Sequence, residues 1–505
     1  MLGHYGCREN QGDGGENHGW QQMLAAWVVD EMKTADLNDK RITDRLMVVL
    51  SQLGERPTLS IPAACGGRAE MTAAYRFFDN EKATFEDILR PHRDATRERI
   101  AAEPVVILAQ DTTEIDMTKP DMVVRGAGPL DGNSRRGALL HVLHGFTPDG
   151  TPMGTVFANA WTRDEEAGCA SLSRAQRAKT PIEDKESYRW VTTLREAQQL
   201  AQACPATQCI CVADSEADIY ELLVEATAEP RSADWIMRAC QERALLPKNQ
   251  GETSVAYLTG QLLTTPVLFT HTIGVRGRKA KVACETRGRR QPRQSRETEV
   301  SVRAARVTLR APYRSGAKLP DVTVHVVMVR EERPPENEQS VEWILLTSLP
   351  IDNLEQVRRV IQYYCVRWMI EIFFRVLKSG CRVEERRFET LDRQLSCLAV
   401  FMIVAWRTLL VCRLGRSCPK MSCEVIFEPA EWKSTWKVVR NEDPPRDPPA
   451  LGEMVRMVAH LGGYVYRAHS EPGPQTIWIG LQRVHDFAFC WNKFGPEAKN
   501  RVEDV

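Results

Sequence analysis

The segment Val105-Val106-Ile107-Leu108-Ala109-Gln110-Asp111-Thr112-Thr113 joins a continuous apolar run to a polar end. Such a run, rich in β-branched residues, is typical of a strand buried on both faces of a sheet. A second run, Cys209 to Ala213, ends at Asp214, and a helical pattern opens directly after it at Ala217. We therefore predict an α/β sheet in which functional groups, including Asp111 and Asp214, lie where the strands end.

Each aspartate alone has a plainer interpretation, because acidic residues at strand ends often cap helices or form turns. A helical pattern from Leu354 to Leu377 contains further candidate site residues. Four polar or charged residues are spaced three, four and seven positions apart and so share one helix face, namely Tyr364, Arg367, Glu371 and Lys378. An exposed stripe of salt bridges would have the same spacing, so both interpretations remain open from the residues alone.

The functional interpretation of these residues is metal-dependent phosphoryl transfer. Divalent cations such as Mg²⁺ prefer carboxylate oxygens, and three carboxylates can hold two ions about 3.5–4 Å apart. Asp111, Asp214 and Glu371 are the candidate carboxylates. Lys378 and Arg367 would then bind the flanking phosphates. Tyr364 would hydrogen-bond a phosphate or pack on a sugar.

The rest of the chain divides by its periodicity. A helical unit rich in basic residues extends from Trp20 to about Arg93, and strands predominate between about Trp235 and Leu349. Helical patterns return further along, at Leu391 to Leu414, Leu451 to Leu461 and Thr476 to Trp491. The chain therefore contains an α/β core between two helical regions.

Composition gives a first, misleading view of the partner. The chain has 505 residues and is 43% hydrophobic, a composition that excludes the disordered and fibrous classes of protein. Its 67 basic and 67 acidic residues cancel, and this balance alone argues against a nucleic-acid partner. Residues 271–310, however, contain twelve Lys or Arg against three Glu, a formal charge of +9. A solvated loop would explain this density, but a phosphate-facing surface is favoured.

Cysteine usage and hydropathy predict the compartment. The chain has fifteen cysteines scattered through apolar stretches, which favours reduced thiols in the cytosol. The apolar stretch from Gln394 to Trp406 is 13 residues long, short of the roughly 20 that a membrane span needs, so no membrane partner is expected. Residues 1–19 have no apolar core and are predicted to be a flexible tail rather than a signal peptide.

Taken together, the motifs resemble the DDE transposases of bacterial cut-and-paste insertion sequences, in the hairpin-forming branch with a Tyr-Arg-Glu-Lys signature. The spacing of Tyr364, Arg367, Glu371 and Lys378 matches that signature at every position. The similarity covers nearly everything from Trp20 to Trp491. Four further segments match the family, at Gln110–Thr113, Asp214–Ile219, Ala74–Phe78 and Leu461–Tyr464.

The resemblance implies an α/β, ribonuclease H-like catalytic core with a β-rich insertion, flanked by helical N- and C-terminal domains. The implied boundaries are residues 20–84 for the DNA-binding domain, 85–414 for the catalytic domain with its insertion at about 228–349, and 415–505 for the dimerisation domain.

The resemblance also implies roles for individual residues. Asp111, Asp214 and Glu371 would be the metal-binding triad, holding two Mg²⁺ ions with Mn²⁺ as a substitute. Trp343 matches a family tryptophan that stacks on a base flipped out near the transposon end, although a core tryptophan is the plainer interpretation. Arg238 aligns with an arginine near the active site and the hairpin.

The implied activity is excision and insertion of a DNA element. One strand is nicked at the terminal inverted repeat, the 3′-hydroxyl attacks the opposite strand to form a hairpin, and the reopened 3′-ends join target DNA. The expected partners are double-stranded DNA and a second copy of the chain in a synaptic homodimer, in the bacterial cytoplasm at the nucleoid.

Two other functions compete with this one: a ribonuclease H-like nuclease that cuts without strand transfer, and a DNA-binding regulator descended from a transposase. A missing C-terminal region or a changed Trp343 would favour the nuclease, and a broken triad would favour the regulator. The chain also departs from the family pattern. Ile372 and Phe374 stand where family members often have polar residues, and Leu139-Leu140 replaces an aromatic pair.

Overall fold

The computed structural model describes residues 24–65, 67–131, 134–164, 180–246, 256–275, 277, 293–314, 318–336, 338–466 and 471–496. The predicted tail at residues 1–19 lies outside these ranges, as do seven of the twelve basic residues of the segment 271–310.

A mixed sheet of ten strands occupies the middle of the described chain, with β1 (Val105–Asp116) inside it. Strand β1 pairs antiparallel with β3 (Arg136–Phe146), which also pairs with the short β2 (Gly128–Pro129) and with β4 (Pro152–Trp161). Gly150 forms the turn between β3 and β4 at a φ of 85°, a backbone conformation that disfavours side chains with a Cβ.

The other side of β1 is parallel. Strand β5 (Gln208–Ala213) runs parallel to β1, and β6 (Asp234–Arg238) runs parallel to β5. Helix α6 (Tyr188–Ala203) precedes β5 and packs on it, and α7 (Tyr220–Thr227) lies between β5 and β6 in the chain. Because β1 and β5 run parallel in this register, the end of β5 lies level with the middle of β1.

The β-rich insertion continues the same sheet instead of forming a separate one. Strand β6 pairs antiparallel with β10, and the order continues through β9 and β8 to β7. These four strands are β7 (Phe269–Val275), β8 (Arg296–Leu309), β9 (Val322–Glu331) and β10 (Glu342–Thr347).

Helices surround the sheet and form both ends of the chain. The N-terminal helices are α1 (Ala26–Glu31), α2 (Lys40–Glu55), α3 (Ile61–Ala64), α4 (Arg68–Phe78) and α5 (Phe85–Ala101). Those of the core are α6, α7, α8 (Leu258–Leu263), α9 (Leu354–Val366) and α10 (Trp368–Arg375). The C-terminal helices are α11 (Leu391–Ser417), α12 (Pro429–Arg440), α13 (Leu451–Leu461) and α14 (Pro474–Phe494).

Helix α11 is the central packing element. It contacts α2 and α5 of the N-terminal unit, β4 of the sheet, and α13 of the C-terminal unit. It is twice as long as the 13-residue apolar stretch identified in the sequence, and by length and composition it could cross a membrane. Because 83% of its most apolar window is buried inside the protein, α11 is a core helix.

The predicted fold class is confirmed: a ribonuclease H-like α/β core with a β-rich insertion and helical terminal regions. Two details differ from the sequence prediction. Strand β1 does not end at Ala109 but continues to Asp116, because its second half pairs with β3. The helix predicted from Leu354 to Leu377 is interrupted at Arg367 and ends in a π-helical turn, Val376–Gly380.

Candidate active site

Asp111 and Asp214 lie at the same level on neighbouring strands. The last parallel pair between β1 and β5 is Ala109 with Val212, and each aspartate lies two residues beyond its member of that pair. Residues two apart on extended chain point to the same face, so both carboxylates are directed to one side of the sheet. Asp214 also caps the short turn Ser215–Ala217, since its Oδ1 accepts a hydrogen bond from the Glu216 N–H at 2.8 Å.

The third carboxylate, that of Glu371, lies on a helix that packs on β1. A capping box starts α9: the Asn353 side chain accepts from the Gln356 N–H, and the Gln356 side chain accepts from the Asn353 N–H. The chain then continues into α10, which carries Glu371 and packs on β1. The helix thus carries Glu371 to the strand that contains Asp111.

Arg367 joins two of the three carboxylates. Its Nη1 lies 3.3 Å from Asp111 Oδ2, and its Nη2 lies 2.8 Å from Glu371 Oε1. The Arg367 residue is only 9% exposed. The stripe predicted from spacing is therefore not a solvated row of salt bridges, because its arginine faces inward to the strand-borne aspartate.

The carboxylates interact strongly with one another. Burial first, and then the nearby charges of Asp214 and Glu371, raise the pKa of Asp111 to about 7 against the opposing effects of Arg367 and of the Thr112 N–H. The single guanidinium therefore does not compensate the negative charge that these three groups would carry when ionised.

This donor set fits hard divalent cations by its chemistry. Carboxylate oxygens are the ligands that Mg²⁺ and Mn²⁺ use, and the uncompensated charge around Asp111 would be neutralised by a cation. Across the described ranges, no three His, Cys, Asp or Glu side chains are arranged to hold a metal ion together. Arg367 occupies oxygens of Asp111 and Glu371 instead.

Three of the predicted DNA-contacting residues form a group beside Asp214. Arg238 ends β6, one position past Met237, which pairs with Ala213. The rings of Trp343 and Tyr364 are 5.8 Å apart between centroids. Burial raises the pKa of the Tyr364 phenol, although the charges of Arg367 and Arg238 act to lower it and that of Asp214 acts to raise it. The hydroxyl therefore stays protonated. Tyr364 is 6% exposed, whereas Trp343 is only partly buried.

Lys378 is held away from the triad. Its Nζ donates to the backbone oxygen of Glu114 on β1 and lies 3.4 Å from Glu384 Oε1. Glu384 in turn accepts a hydrogen bond from the Asp116 N–H at 3.1 Å. Lys378 therefore lies over the second half of β1, past Asp111 along the strand.

Sequence reasoning missed Arg189 on α6. Its Nε donates to Thr112 Oγ1 at 2.9 Å, its Nη2 lies 3.3 Å from Glu216, and Asp214 acts on it electrostatically. It was missed because it belongs to a segment distant in sequence from all three carboxylates. His141 on β3 is fully buried, and its Nδ1 lies within hydrogen-bonding distance of Thr112 Oγ1 at 2.7 Å.

Three family models match successive parts of the chain. The model described as transposase DNA-binding matches residues 24–83, the transposase DDE domain matches 176–405, and the transposase Tn5 dimerisation domain matches 403–492. Asp214 and Glu371 lie inside the DDE match, whereas Asp111 precedes it.

Among solved structures, a piggyBac transposase synaptic complex with hairpin DNA is 9% identical in sequence, with a TM-score of 0.32 over 89% of this chain and 87% of that one. At this TM-score the likeness carries no argument about fold or function. The family assignment rests on the three family models, because DNA-binding, DDE and dimerisation regions follow one another in a single chain. The chain belongs to the DDE transposases of insertion sequences.

Proposed function

We propose that this transposase excises its element by divalent-metal-dependent nicking and hairpin formation, and that it joins the freed 3′-ends to target DNA. The observation that supports the proposal is the ion pairing of Arg367 with both Asp111 on β1 and Glu371 on α10. The charge of Asp214, which follows β5, also acts on Asp111. Water and a DNA 3′-hydroxyl would be the nucleophiles, so no covalent protein intermediate is needed.

Asp111, Asp214 and Glu371 would hold Mg²⁺, with Mn²⁺ as a substitute. Two bound ions supply charge stabilisation on either side of an in-line displacement at phosphorus. The residues themselves fix the geometry. Strand pairing sets the level of both aspartates, and the packing of α10 on β1 sets the position of Glu371.

The flanking groups would bind and shape the DNA. Arg238 ends β6, and Lys378 lies over the second half of β1, so each would neutralise phosphates near its own strand. Trp343, which is partly exposed, would stack on an extruded base, and the protonated hydroxyl of Tyr364 would donate to a phosphate. Arg367 would turn to a phosphate once it leaves the carboxylates.

We further propose the division of labour along the chain. Residues 20–84 would bind terminal inverted repeats, 85–414 would catalyse, with the insertion at about 228–349 contacting the DNA near the cut, and 415–505 would pair two copies. A synaptic homodimer on two transposon ends would then place each active site on the end bound by its partner. The protein would act in the bacterial cytoplasm, on nucleoid DNA.

The test is an assay of the purified protein with Mg²⁺ and labelled DNA that carries the inverted repeats flanking its gene. We expect nicked, hairpin and excised products, and joining to a supercoiled target. Glu371→Gln and Asp111→Asn should each reduce cleavage by at least about a hundredfold, since removing one group that stabilises transition-state charge commonly costs that much.

Glu355→Gln is the matched control, because Glu355 makes an exposed ion pair with Arg359 on the adjoining helix α9. It should cleave like the parent. Cleavage without hairpin or joined product would favour the nuclease alternative. Repeat binding without any cleavage would favour the regulator.

A further inference from the structure

The buried guanidinium of Arg367 occupies the place where a shared cation would be needed. Its two terminal nitrogens are divided between Asp111 Oδ2 at 3.3 Å and Glu371 Oε1 at 2.8 Å. The Arg367 side chain is 11% exposed and that of Asp111 is 14% exposed, so little water reaches their ion pair, whereas the Glu371 side chain is 36% exposed. A metal ion bridging the same carboxylates would need oxygens that Arg367 now holds.

The backbone is adapted to this position. The Arg367 N–H donates to the Tyr364 oxygen and the Ile370 N–H donates to the Arg367 oxygen, both at 3.1 Å. These are i to i+3 bonds, so the helix is tightened by one short 3₁₀-like step between α9 and α10. The regular α-helical hydrogen bonding is therefore interrupted at Arg367.

The neighbouring cation shows that this is a property of Arg367 and not of the stripe as a whole. Lys378 shares the stripe, but among the described residues its polar contacts are with the Glu114 backbone oxygen and with Glu384, and not with the triad. Arg189 contacts Thr112 and Glu216 beside the triad. Within the described residues, Arg367 is thus the basic side chain bonded to two of the three carboxylates.

We propose that Arg367 is a positioning residue that acts as the resident counter-ion of the metal-free carboxylate site. It pairs with Asp111 and Glu371 when no divalent cation is present, and it must release Asp111 before the cation binds. Arg367 therefore weakens metal binding by the DNA-free protein. This inference rests on the proposed function, because it takes the triad as the metal-binding site.

Mn²⁺ binding to the full-length protein without DNA tests this idea directly, by calorimetry or by the loss of the free-ion paramagnetic resonance signal. Only the Mn²⁺ binding that is lost in the Asp111→Asn variant is counted as binding at the triad. Arg367→Gln should bind it roughly three- to hundredfold more tightly than the parent, the range expected when one of two contacting charged groups is removed. The Tm of metal-free Arg367→Gln should fall, and added Mn²⁺ should raise it by more than in the parent.

The control is Arg359→Gln, which removes the same charge from helix α9, just before Arg367 in the chain, at an exposed ion pair with Glu355. It should leave Mn²⁺ affinity unchanged. Arg367→Lys, a milder change that keeps the charge but cannot span both carboxylates, should bind Mn²⁺ with intermediate affinity and guards against a folding defect in the glutamine variant.

Equal or weaker Mn²⁺ binding in both Arg367 variants overturns the counter-ion role. If the parent still cleaves its DNA under those conditions and Glu371→Gln does not, the proposed function stands while this inference fails. If neither the parent nor Arg367→Gln shows Mn²⁺ binding that depends on Asp111, both this inference and the proposed function are wrong.

Discussion

Trp343 is the residue whose two interpretations differ most in what they predict. Its indole packs on the Tyr364 ring, which suits a core role, yet it remains partly exposed beside the triad, which suits base stacking. Stacking of one base on an aromatic side chain contributes about 1–3 kcal/mol. We expect Trp343→Ala to slow hairpin formation about tenfold or more while the first nick proceeds, and Trp343→Phe to retain most hairpin formation.

Separate measurement of the nick and hairpin rates on the same labelled end checks this expectation. Circular dichroism melting of both variants serves as the control, since a stacking role predicts a near-parental Tm. A lower Tm with equal losses in both steps would assign Trp343 to the core instead.

Among individual residues, the sequence predicts those that share a regular spacing within one helix and those that directly follow an apolar strand. The stripe from Tyr364 to Lys378 follows from helical periodicity, and the positions of Asp111 and Asp214 follow from apolar runs. The inward pairing of Arg367 with Asp111 could not be predicted, because 256 residues separate the two in sequence. Arg189 was out of reach for the same reason.

A buried ion-paired cluster joins helix α1 to α5 within the N-terminal unit. Glu31 on α1 is 3% exposed and lies 2.5 Å from His92 Nδ1, and Arg99 donates to both of its oxygens at 2.8 and 3.0 Å. Breaking a buried pair costs about 3–5 kcal/mol. We expect Glu31→Gln to lower the free energy of unfolding by that amount and to increase hydrogen exchange in α1.

The exposed pair between Lys33 and Glu98 provides the control, because it also links the end of α1 to α5. Glu98→Gln should cost at most about 1 kcal/mol. Similar losses in Glu31→Gln and Glu98→Gln would mean that the buried cluster is not what attaches α1.

The same cluster predicts a dependence of stability on pH. Burial acts to raise the pKa of Glu31, but the His92 and Arg99 contacts outweigh it and lower this pKa well below 4.5. A carboxyl with a depressed folded-state pKa stabilises the fold above its unfolded pKa, and that stability is lost as the pH falls through the folded value. Urea unfolding should therefore show a loss below about pH 4.5 that is absent in Glu31→Gln.

The C-terminal helices α13 and α14 cross at a glycine. A Cβ at Gly480 would lie 1.9 Å from the Val458 backbone oxygen, so any side chain would force the helices apart. Gly480→Ala should destabilise this unit by roughly 1–3 kcal/mol and weaken dimer formation, measured by light scattering after gel filtration. Gly473→Ala should have no effect, since nothing lies within 4 Å of a Cβ there; equal behaviour of the two variants would rule out close crossing as the cause.

Among the elements, strands and long helices were predictable and their ends were not. The extension of β1 to Asp116 depends on pairing with β3, and polar residues such as Thr112 and Glu114 gave no apolar signal for it. Helix α12 was not predicted at all, although Pro429 at its first turn and the capping box of Glu428 and Glu431 mark its start.

Over the whole molecule, the balanced charge hides an uneven distribution. Of the basic residues in segment 271–310, Arg296 pairs with Glu331 and Glu338, and Arg303 pairs with Glu332, so these two stabilise the sheet. Several others, among them Arg287, Arg289 and Arg290, lie outside the described residues. If this segment faces phosphates, such arginines carry its DNA affinity.

Salt dependence measures that contribution, because each neutralised phosphate steepens the slope of log K against log salt by about 0.9 on duplex DNA. The triple variant Arg287→Ser, Arg289→Ser, Arg290→Ser should bind its terminal repeat more weakly and with a slope smaller by about 2–3. The control removes Arg359, Lys437 and Arg440, which all make exposed ion pairs outside the proposed repeat-binding region. It loses the same charge, so an equal fall in slope for both triple variants would attribute binding to overall charge rather than to this segment.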